Sequence, residues 1–324
     1  MPPIRGVGRL LERVSGPAAL ERAWKVVRRG GKCPGPDGIT IDEFGRNWPN
    51  HKRIIRERLR NGTYRFGGFL GQPVPKKPDA DPDDLRAWRP ISIAGIADRV
   101  VQRAILDIIW VSIRKRVYTP ASFGGLRQFH IRPRKIPLPE TDRKRCVEGA
   151  AEEICRLRRE GHLWVFETDI ENFFPSIDRR RLLADLFNLL PDDSLCRLIA
   201  DALNTTITNA TELGVRAQLW HPEIGIPQGG TLSPVLANFY LHDLDIQLLK
   251  ANFKPVRYVD DLVILCKSRN EAEAAYGLCR EITSGMRLVM HDLNRVVNGI
   301  VKTRINDPSD EFDFLGLTFT KRKI

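Results

Sequence analysis

Two adjacent aspartates lie between two short apolar runs in the second half of the chain. Val256 to Val259 and Leu262 to Leu265 are rich in residues that favour strands, and Asp260 and Asp261 fall between them. The pattern predicts a hairpin with both carboxylates at its tip, where a metal ion can reach them. Aspartate also favours turns for purely conformational reasons, so these residues alone are equally consistent with an ordinary turn.

A second candidate carboxylate follows another apolar run. Asp169 ends a predicted strand at 163–169. If this strand and the aspartate hairpin lie side by side in one sheet, Asp169 and Asp260 converge. Clustered carboxylates repel one another unless cations lie between them, and hard oxygen ligands suit Mg²⁺. Two such ions can activate an attacking hydroxyl and stabilise a leaving oxygen in phosphoryl transfer.

The charge of the chain indicates a polyanionic partner. The 324 residues include 52 Lys and Arg against 40 Asp and Glu, a net charge of +12, which suggests nucleic acid or an anionic membrane surface. The apolar stretch 104–113 is interrupted by Asp107 and is too short to span a bilayer. No secretory signal is recognised, and the six cysteines lack zinc-binding spacing. We therefore expect a cytoplasmic protein with free, mostly packed thiols.

Periodicity predicts a mixture of helices and strands. The predicted helices are 18–29, 51–60, 97–118, 147–159, 179–190, 192–204, 231–249 and 270–284. The predicted strands, besides those above, are a strand-loop-strand unit at 71–93, a short segment before Gly225 and a final strand at 312–320. The basic, proline-containing stretch 124–145 is equally consistent with a phosphate-backbone contact and with a solvated loop.

Six motifs occur in an order that resembles a reverse transcriptase of the bacterial group II intron type. They are Gly35-Pro36-Asp37-Gly38-Ile39-Thr40, Arg89–Ile93 with Asp98–Gln102, Asp169 with Phe173-Phe174, Gly225–Pro234 with Ala237-Asn238, Tyr258–Asp261, and Phe312–Leu317. Any one of them can arise by chance, but six in the correct order are specific.

The resemblance implies an α+β fold, the fingers and palm of a right-hand polymerase, in which the palm is an antiparallel sheet packed on helices. We expect the fingers at 1–120, a basic insertion at 121–146 and the palm, through the primer grip, at 147–324. Members of that family normally continue into a helical thumb. This sequence stops four residues after Thr320, so the thumb is expected to be absent or truncated.

The resemblance also implies a two-metal site. Asp169 and Asp260 would ligate two Mg²⁺ ions, for which Mn²⁺ is an expected substitute. Asp261 would be a weaker third ligand, and the backbone carbonyl of Ile170 would contribute a further oxygen.

The nucleotide-binding residues that the resemblance implies are Lys76, Lys77, Arg89, Ile170, Phe174, Gln228 and Lys302. Phe174 would lie under the sugar and exclude a 2′-hydroxyl, although its position also suits an ordinary core aromatic. Gln228 would lie beside the nucleotide, and Arg89 with one of the two lysines would grip the triphosphate. Lys302 resembles the lysine between the catalytic hairpin and the primer grip, but the stretch 290–301 is longer than is usual there.

The implied activity is that of an RNA-directed DNA polymerase, which extends a DNA or RNA primer on an RNA template with deoxynucleotides. The departures from the family favour a domesticated relative in phage defence or CRISPR adaptation. The expected further partner is a dedicated non-coding RNA, or a protein that supplies the thumb. The alternatives are an RNA-binding scaffold and a partner-dependent or template-independent polymerase.

Overall fold

The computed structural model describes residues 8–125, 146–204, 206–221, 223–297 and 299–320. Its helices are α1 (Arg9–Val14), α2 (Pro17–Val27), α3 (Ile41–Arg46), α4 (Trp48–Arg60), α5 (Ile96–Val117), α6 (Val147–Arg159), α7 (Phe173–Ser176), α8 (Arg179–Phe187), α9 (Asp193–Ala202), α10 (Ala210–Leu213), α11 (Ser233–Tyr240), α12 (His242–Lys250) and α13 (Arg269–Gly285). Its strands are β1 (Leu70–Pro75), β2 (Trp88–Ile93), β3 (Trp164–Thr168), β4 (Lys254–Tyr258), β5 (Asp261–Cys266), β6 (Val296–Val297), β7 (Ile300–Val301), β8 (Arg304–Asn306), β9 (Phe312–Phe314) and β10 (Leu317–Phe319). Most of the predicted basic insertion, residues 126–145, lies outside the described residues.

Capping side chains fix several helix starts. Thr40 and Glu43 form a reciprocal capping box at α3. Asp178, Asp192 and Ser268 each accept a hydrogen bond from the backbone N–H three residues later, at α8, α9 and α13. These caps account for the good agreement between the predicted and observed starts of α8, α9 and α13.

The chain divides into two compact units. The first contains residues up to Arg114 together with Ile177–Ser233. In this unit β1 and β2 pair antiparallel, from Leu70 opposite Ile93 to Pro75 opposite Trp88, as the predicted strand-loop-strand unit requires.

The second unit contains Lys115–Ser176 and Pro234–Ile324, and its centre is a four-stranded sheet in the order β4-β5-β3-β8. All neighbouring strands are antiparallel. Helix α6 packs on β4 and β5, and α13 packs on β3 and β5. Apolar side chains of α6, β3, β4, β5 and the β9–β10 hairpin form one buried cluster. Helices packed on an antiparallel sheet confirm the predicted α+β class.

Three predicted elements were wrong. The segment before Gly225 has an isolated bridge from Ile207 to Phe69 and is otherwise mainly helical, with α10 and a 3₁₀ helix at Gly214–Leu219, rather than a strand. The helix predicted at 231–249 is two helices, α11 and α12, with a turn at Leu241. The final strand is a hairpin, because Leu315 (φ 56°) and Gly316 (φ 76°) form a two-residue turn with both backbones left-handed.

The thiols agree with expectation, since all six cysteines are free and Cys196, Cys266 and Cys279 are buried. Burial raises the pKa of Cys196 to about 11 and that of Cys266 to about 12, which keeps both thiols protonated. No helix in the described ranges is long and apolar enough to cross a membrane. The predicted domain boundaries at 120 and 146 concern functional subdomains and stay a prediction.

Candidate active site

The sheet of the second unit brings the two predicted acidic strands side by side. Strand β3 pairs directly with β5, and Thr168 lies opposite Leu262. The next residue of β3 is Asp169, and the residue before Leu262 is Asp261. The strand adjacency that the carboxylate hypothesis required is therefore present, and the aspartates leave the sheet at the same edge.

The predicted aspartate hairpin is formed by β4 and β5, with Tyr258 opposite Asp261. Only Val259 and Asp260 connect the strands, and Val259 has a left-handed backbone with φ 61°. A left-handed conformation costs an L-residue about 1–2 kcal/mol, and it is a genuine outlier for a β-branched residue. Two-residue hairpin loops usually place glycine or asparagine at such a position. The turn that presents Asp260 is therefore strained and needs support from its surroundings.

Asp169 lies between two nitrogen-bearing side chains. Lys302 Nζ donates to Asp169 Oδ2 at 2.8 Å. On the other side, His291 Nε2 is 3.4 Å from Asp169 Oδ1. This Oδ1 atom is buried and has no hydrogen-bond partner. A buried carboxylate oxygen without a hydrogen-bond partner costs free energy, because it has lost its hydration. This oxygen is therefore suited to coordinate a cation.

Sequence reasoning missed His291. It is buried, and its Nδ1 lies 4.0 Å from Glu171 Oε2. The segment that carries it runs beside the end of β3, because Ile170 pairs with Met290 and Glu171 N donates to Val289 O at 2.8 Å. A lone histidine in an irregular stretch gave no periodic or motif signal by which to find it.

The segment before β8 is also fixed beside β3. The hydroxyl oxygens of Thr168 and Thr303 are 2.8 Å apart, and both residues are buried. This contact holds the neighbouring Lys302 next to Asp169. The structure thus places Lys302 against a predicted metal ligand, while its predicted contact with a nucleotide stays a prediction.

The donor chemistry of this edge fits a hard divalent cation. Asp169, Asp260 and Asp261 supply carboxylate oxygens, with Asp169 and Asp260 partly buried and Asp261 exposed. The partnerless Oδ1 of Asp169 is the observation that shows these residues fit a divalent cation. Among the described residues, no group of three or more acidic, histidine or cysteine side chains is arranged as a ready-made metal site. The ligand roles of these aspartates and of the Ile170 carbonyl stay predictions.

Phe174 lies in α7, which begins shortly after Asp169. Its ring centroid is 5.4 Å from that of Phe173. Phe173 is buried, whereas Phe174 is partly exposed. Phe173 therefore packs in the core. Part of the Phe174 ring stays accessible, as a contact with a sugar would require.

The remaining predicted residues lie in the first unit, on the β1–β2 strand pair and beside it. Arg89 is opposite Val74 in the pair, and the exposed Lys76 and Lys77 follow β1. Gln228 joins this group, because its backbone oxygen accepts a hydrogen bond from Ser92 N at 2.7 Å. The structure therefore places Arg89, Lys76 and Lys77 on or directly after one strand pair and the backbone of Gln228 beside it, while their contacts with a triphosphate and a nucleotide stay predictions.

Gly229 explains how this close approach is possible. Its φ is 104°, a conformation that side chains rarely adopt, and a Cβ atom at this position would lie 3.0 Å from Ser92 O. Gly229 therefore lets the backbone after Gln228 lie close to β2.

Comparison with known proteins gives the following relatives. Residues 74–319 match the profile of the family described as reverse transcriptase (RNA-dependent DNA polymerase). Protein YkfC of Escherichia coli (strain K12) is 24% identical over 358 residues, which cover 98% of this chain and 84% of YkfC. Group II intron-encoded protein LtrA of Lactococcus lactis is 32% identical over 206 residues, which cover 63% of this chain and 29% of LtrA.

Among solved structures, one described as a partial Cas6-RT-Cas1–Cas2 complex is similar to this chain with a TM-score of 0.46 and 24% sequence identity. The similarity covers 85% of this chain and 41% of that chain. The family match extends over well more than half of the sequence and includes every predicted site residue.

Proposed function

Because the chain belongs to the reverse transcriptase family, we propose that it extends a primer on an RNA template with deoxynucleotides. The family match confirms the predicted enzyme class, a nucleotidyl-transferring polymerase, and the similarity to LtrA supports the predicted group II intron type. One observation of the structure carries the proposal: Asp169 directly follows β3, Asp260 and Asp261 directly precede and begin the paired strand β5, and the three leave the same edge of one sheet.

The proposed cofactor is a pair of Mg²⁺ ions, with Mn²⁺ as a substitute. Reverse transcriptases generally depend on divalent metal ions. When bound, such a pair supplies activation of the primer 3′-hydroxyl and stabilisation of the leaving pyrophosphate oxygen. Asp169 and Asp260 would hold the ions, with Asp261 and the carbonyl of Ile170 as additional oxygen ligands. The ammonium of Lys302, now on Asp169, would then be released toward the nucleotide.

The proposed nucleotide contacts are made by basic, amide and aromatic side chains. Arg89 with Lys76 or Lys77 would bind the triphosphate, since these cations are exposed and guanidinium groups bind phosphates in a bidentate manner. Gln228 would lie beside the incoming nucleotide. Phe174, with its partly exposed ring, would contact the sugar and reject a 2′-hydroxyl.

The proposed nucleic-acid partners are an RNA template and a DNA or RNA primer. The net charge of +12 favours binding to the phosphate backbone and predicts a strong dependence on salt concentration. A charge of this kind attracts nucleic acid whatever its sequence, so the natural template has to be identified by experiment.

Templated synthesis is tested with two primed RNA templates of different sequence, the four deoxynucleotides and Mg²⁺ or Mn²⁺. We expect products whose sequence is complementary to each template. Products of the same sequence on both templates would instead favour a template-independent polymerase. No incorporation with either metal, alongside tight RNA binding and an active control enzyme, would favour the scaffold. Sequencing the nucleic acid that co-purifies from cells would then name the natural template.

A further inference from the structure

A fully buried ion pair lies directly behind the aspartate hairpin. Arg257, in β4, and Asp245, in α12, both have 0% side-chain exposure. The guanidinium binds the carboxylate in a bidentate manner, with Nε to Oδ1 and Nη2 to Oδ2 both at 2.7 Å. Thr119 Oγ1 also donates to Asp245 Oδ2, at 2.5 Å. The carboxylate thereby occupies two of the three guanidinium nitrogens.

The third nitrogen reaches the hairpin turn. Arg257 Nη1 donates to the backbone carbonyl of Val259 at 2.7 Å and to Asn238 Oδ1 at 2.8 Å. Val259 is the residue with the left-handed backbone, and it directly precedes Asp260. The Arg257 side chain, which holds the strained turn from within the protein, is therefore itself fixed by Asp245 and Asn238.

Asn238 is fixed just as firmly. Its Oδ1 also accepts from Ser122 Oγ at 3.0 Å, and its Nδ2 donates to the carbonyls of Gly124 and Pro234, both at 3.0 Å. Nearly every polar atom of the cluster has a defined partner, which gives the guanidinium a single orientation.

The backbone of Arg257 is held as well. Its N–H donates to Ala121 O, and its carbonyl accepts from Phe123 N, both at 2.8 Å. The segment 121–123 thus acts as a short additional pairing partner for the strand that leads into the turn, and it fixes the position of the side chain relative to Val259.

Stability alone does not explain this arrangement. A buried ion pair is often no more stabilising than apolar side chains of the same volume, because both charges lose their hydration. An apolar replacement, however, cannot donate to the carbonyl of Val259. The feature that only a guanidinium provides here is the third, correctly directed donor.

We propose that Arg257 is a positioning residue that holds the left-handed turn at Val259 and thereby orients the Asp260 and Asp261 carboxylates for metal binding. The metal-binding part of this inference rests on the proposed function. Arg257 acts through the turn, because its fully buried side chain is not accessible to a metal ion or a substrate. Asp245 and Asn238 serve to orient the guanidinium.

The test is a double-mutant cycle between Arg257→Lys and Val259→Gly. Lysine keeps the positive charge beside Asp245, but it lacks the planar fork that reaches the Val259 carbonyl at the same time. Glycine adopts the left-handed turn without strain, so it removes the need for that hydrogen bond. The readouts are Mn²⁺ binding without nucleic acid or nucleotides, followed by electron paramagnetic resonance, and the melting temperature.

We expect Arg257→Lys to weaken Mn²⁺ binding about tenfold in the parent protein, the effect of losing one charge-assisted hydrogen bond. In the Val259→Gly background the same change should weaken binding by less than about threefold. The control is Arg103→Lys, which alters another buried arginine paired with an aspartate, Asp107 at 2.9 Å. It should leave Mn²⁺ binding unchanged.

Equal losses in both backgrounds would overturn the inference, because Arg257 would then not act through Val259. A second measurement holds even if Arg257→Lys prevents folding. Val259→Gly should raise the melting temperature and Val259→Ala should not, since alanine keeps the strain of the left-handed backbone. A Val259→Gly protein that melts no higher than the parent would also overturn it.

These readouts are independent of polymerase activity. A parent protein that binds Mn²⁺ but incorporates no nucleotide would contradict the proposed function and leave the cycle valid. A parent protein that binds no Mn²⁺ would contradict the proposed metal site, and the cycle would then be decided by the melting temperatures of the four proteins.

Discussion

Replacing Lys302 with methionine should change metal binding and nucleotide use in opposite directions. Lys302 Nζ is 2.8 Å from Asp169 Oδ2, and the lysine side chain is 39% exposed. A pair this accessible to water contributes no more than about 1 kcal/mol to stability. Methionine retains an unbranched apolar stem and removes only the charge. The protein should therefore stay folded, while Asp169 loses the ammonium that competes with a metal ion.

The magnitudes follow from the strengths of the two interactions. Losing a competing ion pair of up to about 1 kcal/mol should tighten Mn²⁺ binding to the free protein by up to about fivefold. If Lys302 contacts the nucleotide during incorporation, losing that charge-assisted hydrogen bond should cost about 1.5–3 kcal/mol. The ratio kcat/KM for deoxynucleotide should then fall by roughly 10–150-fold.

The assays are Mn²⁺ binding by electron paramagnetic resonance and single-nucleotide incorporation on a primed RNA template. Lys250→Met, at the exposed end of α12, is the matched control because it removes the same charge elsewhere in the same unit. Weaker Mn²⁺ binding by Lys302→Met would refute the reasoning. So would identical behaviour of the two variants in both assays.

Three further variants test other parts of the molecule. Burial raises the pKa of Asp98 to about 6, so between about pH 4 and 6 the folded state keeps a proton that the unfolded chain has lost. This carboxyl therefore costs the parent up to roughly 3 kcal/mol of stability as the pH rises through that window, and in urea unfolding Asp98→Asn should not show this loss. Phe174→Ala should reduce discrimination against ribonucleotides by about 10–200-fold in competition assays. Unchanged discrimination would mean that this ring only packs against its neighbours and does not select the sugar. Asp192 accepts from Leu10 N and Leu11 N as well as capping α9, so Asp192→Ala should lower the free energy of unfolding by about 2–4 kcal/mol. A loss of unfolding free energy under about 0.5 kcal/mol would contradict the view that Asp192 stabilises the starts of both α1 and α9.

Sequence patterns correctly predicted the helices and strands that depend on residues close together in sequence. Helix α6 begins and ends at the predicted residues, and the strands on both sides of Asp260 are present. The break between α11 and α12 was missed because apolar residues continue across Leu241, so periodicity gave no sign of a turn there. The turn at Leu315-Gly316 was missed because the apolar residues on both sides read as one continuous strand.

The contacts of the site between residues far apart in sequence could not be predicted from one sequence. The pairing of β3 with β5 was stated only as a condition, since nothing in the sequence fixes which strands become neighbours. Arg257 lies within the predicted strand that precedes the aspartates, but its buried pair with Asp245, twelve residues earlier in a helix, has no periodic signature. The ion pair of Lys302 with Asp169 links positions 133 residues apart. Such contacts depend on the sheet order, and the sheet order follows from packing of the whole unit.

Single-nucleotide incorporation by Asp260→Asn tests the central claim most directly. Asparagine keeps the shape of the side chain but removes the charge that would hold a metal ion. On a primed RNA template with Mg²⁺, the variant should lose at least about a hundredfold in rate, because metal stabilisation of the transition state is worth several kcal/mol. Its melting temperature and its affinity for the primed RNA should match those of the parent. Incorporation at the parental rate by the folded variant would contradict the assignment of this hairpin as a metal site.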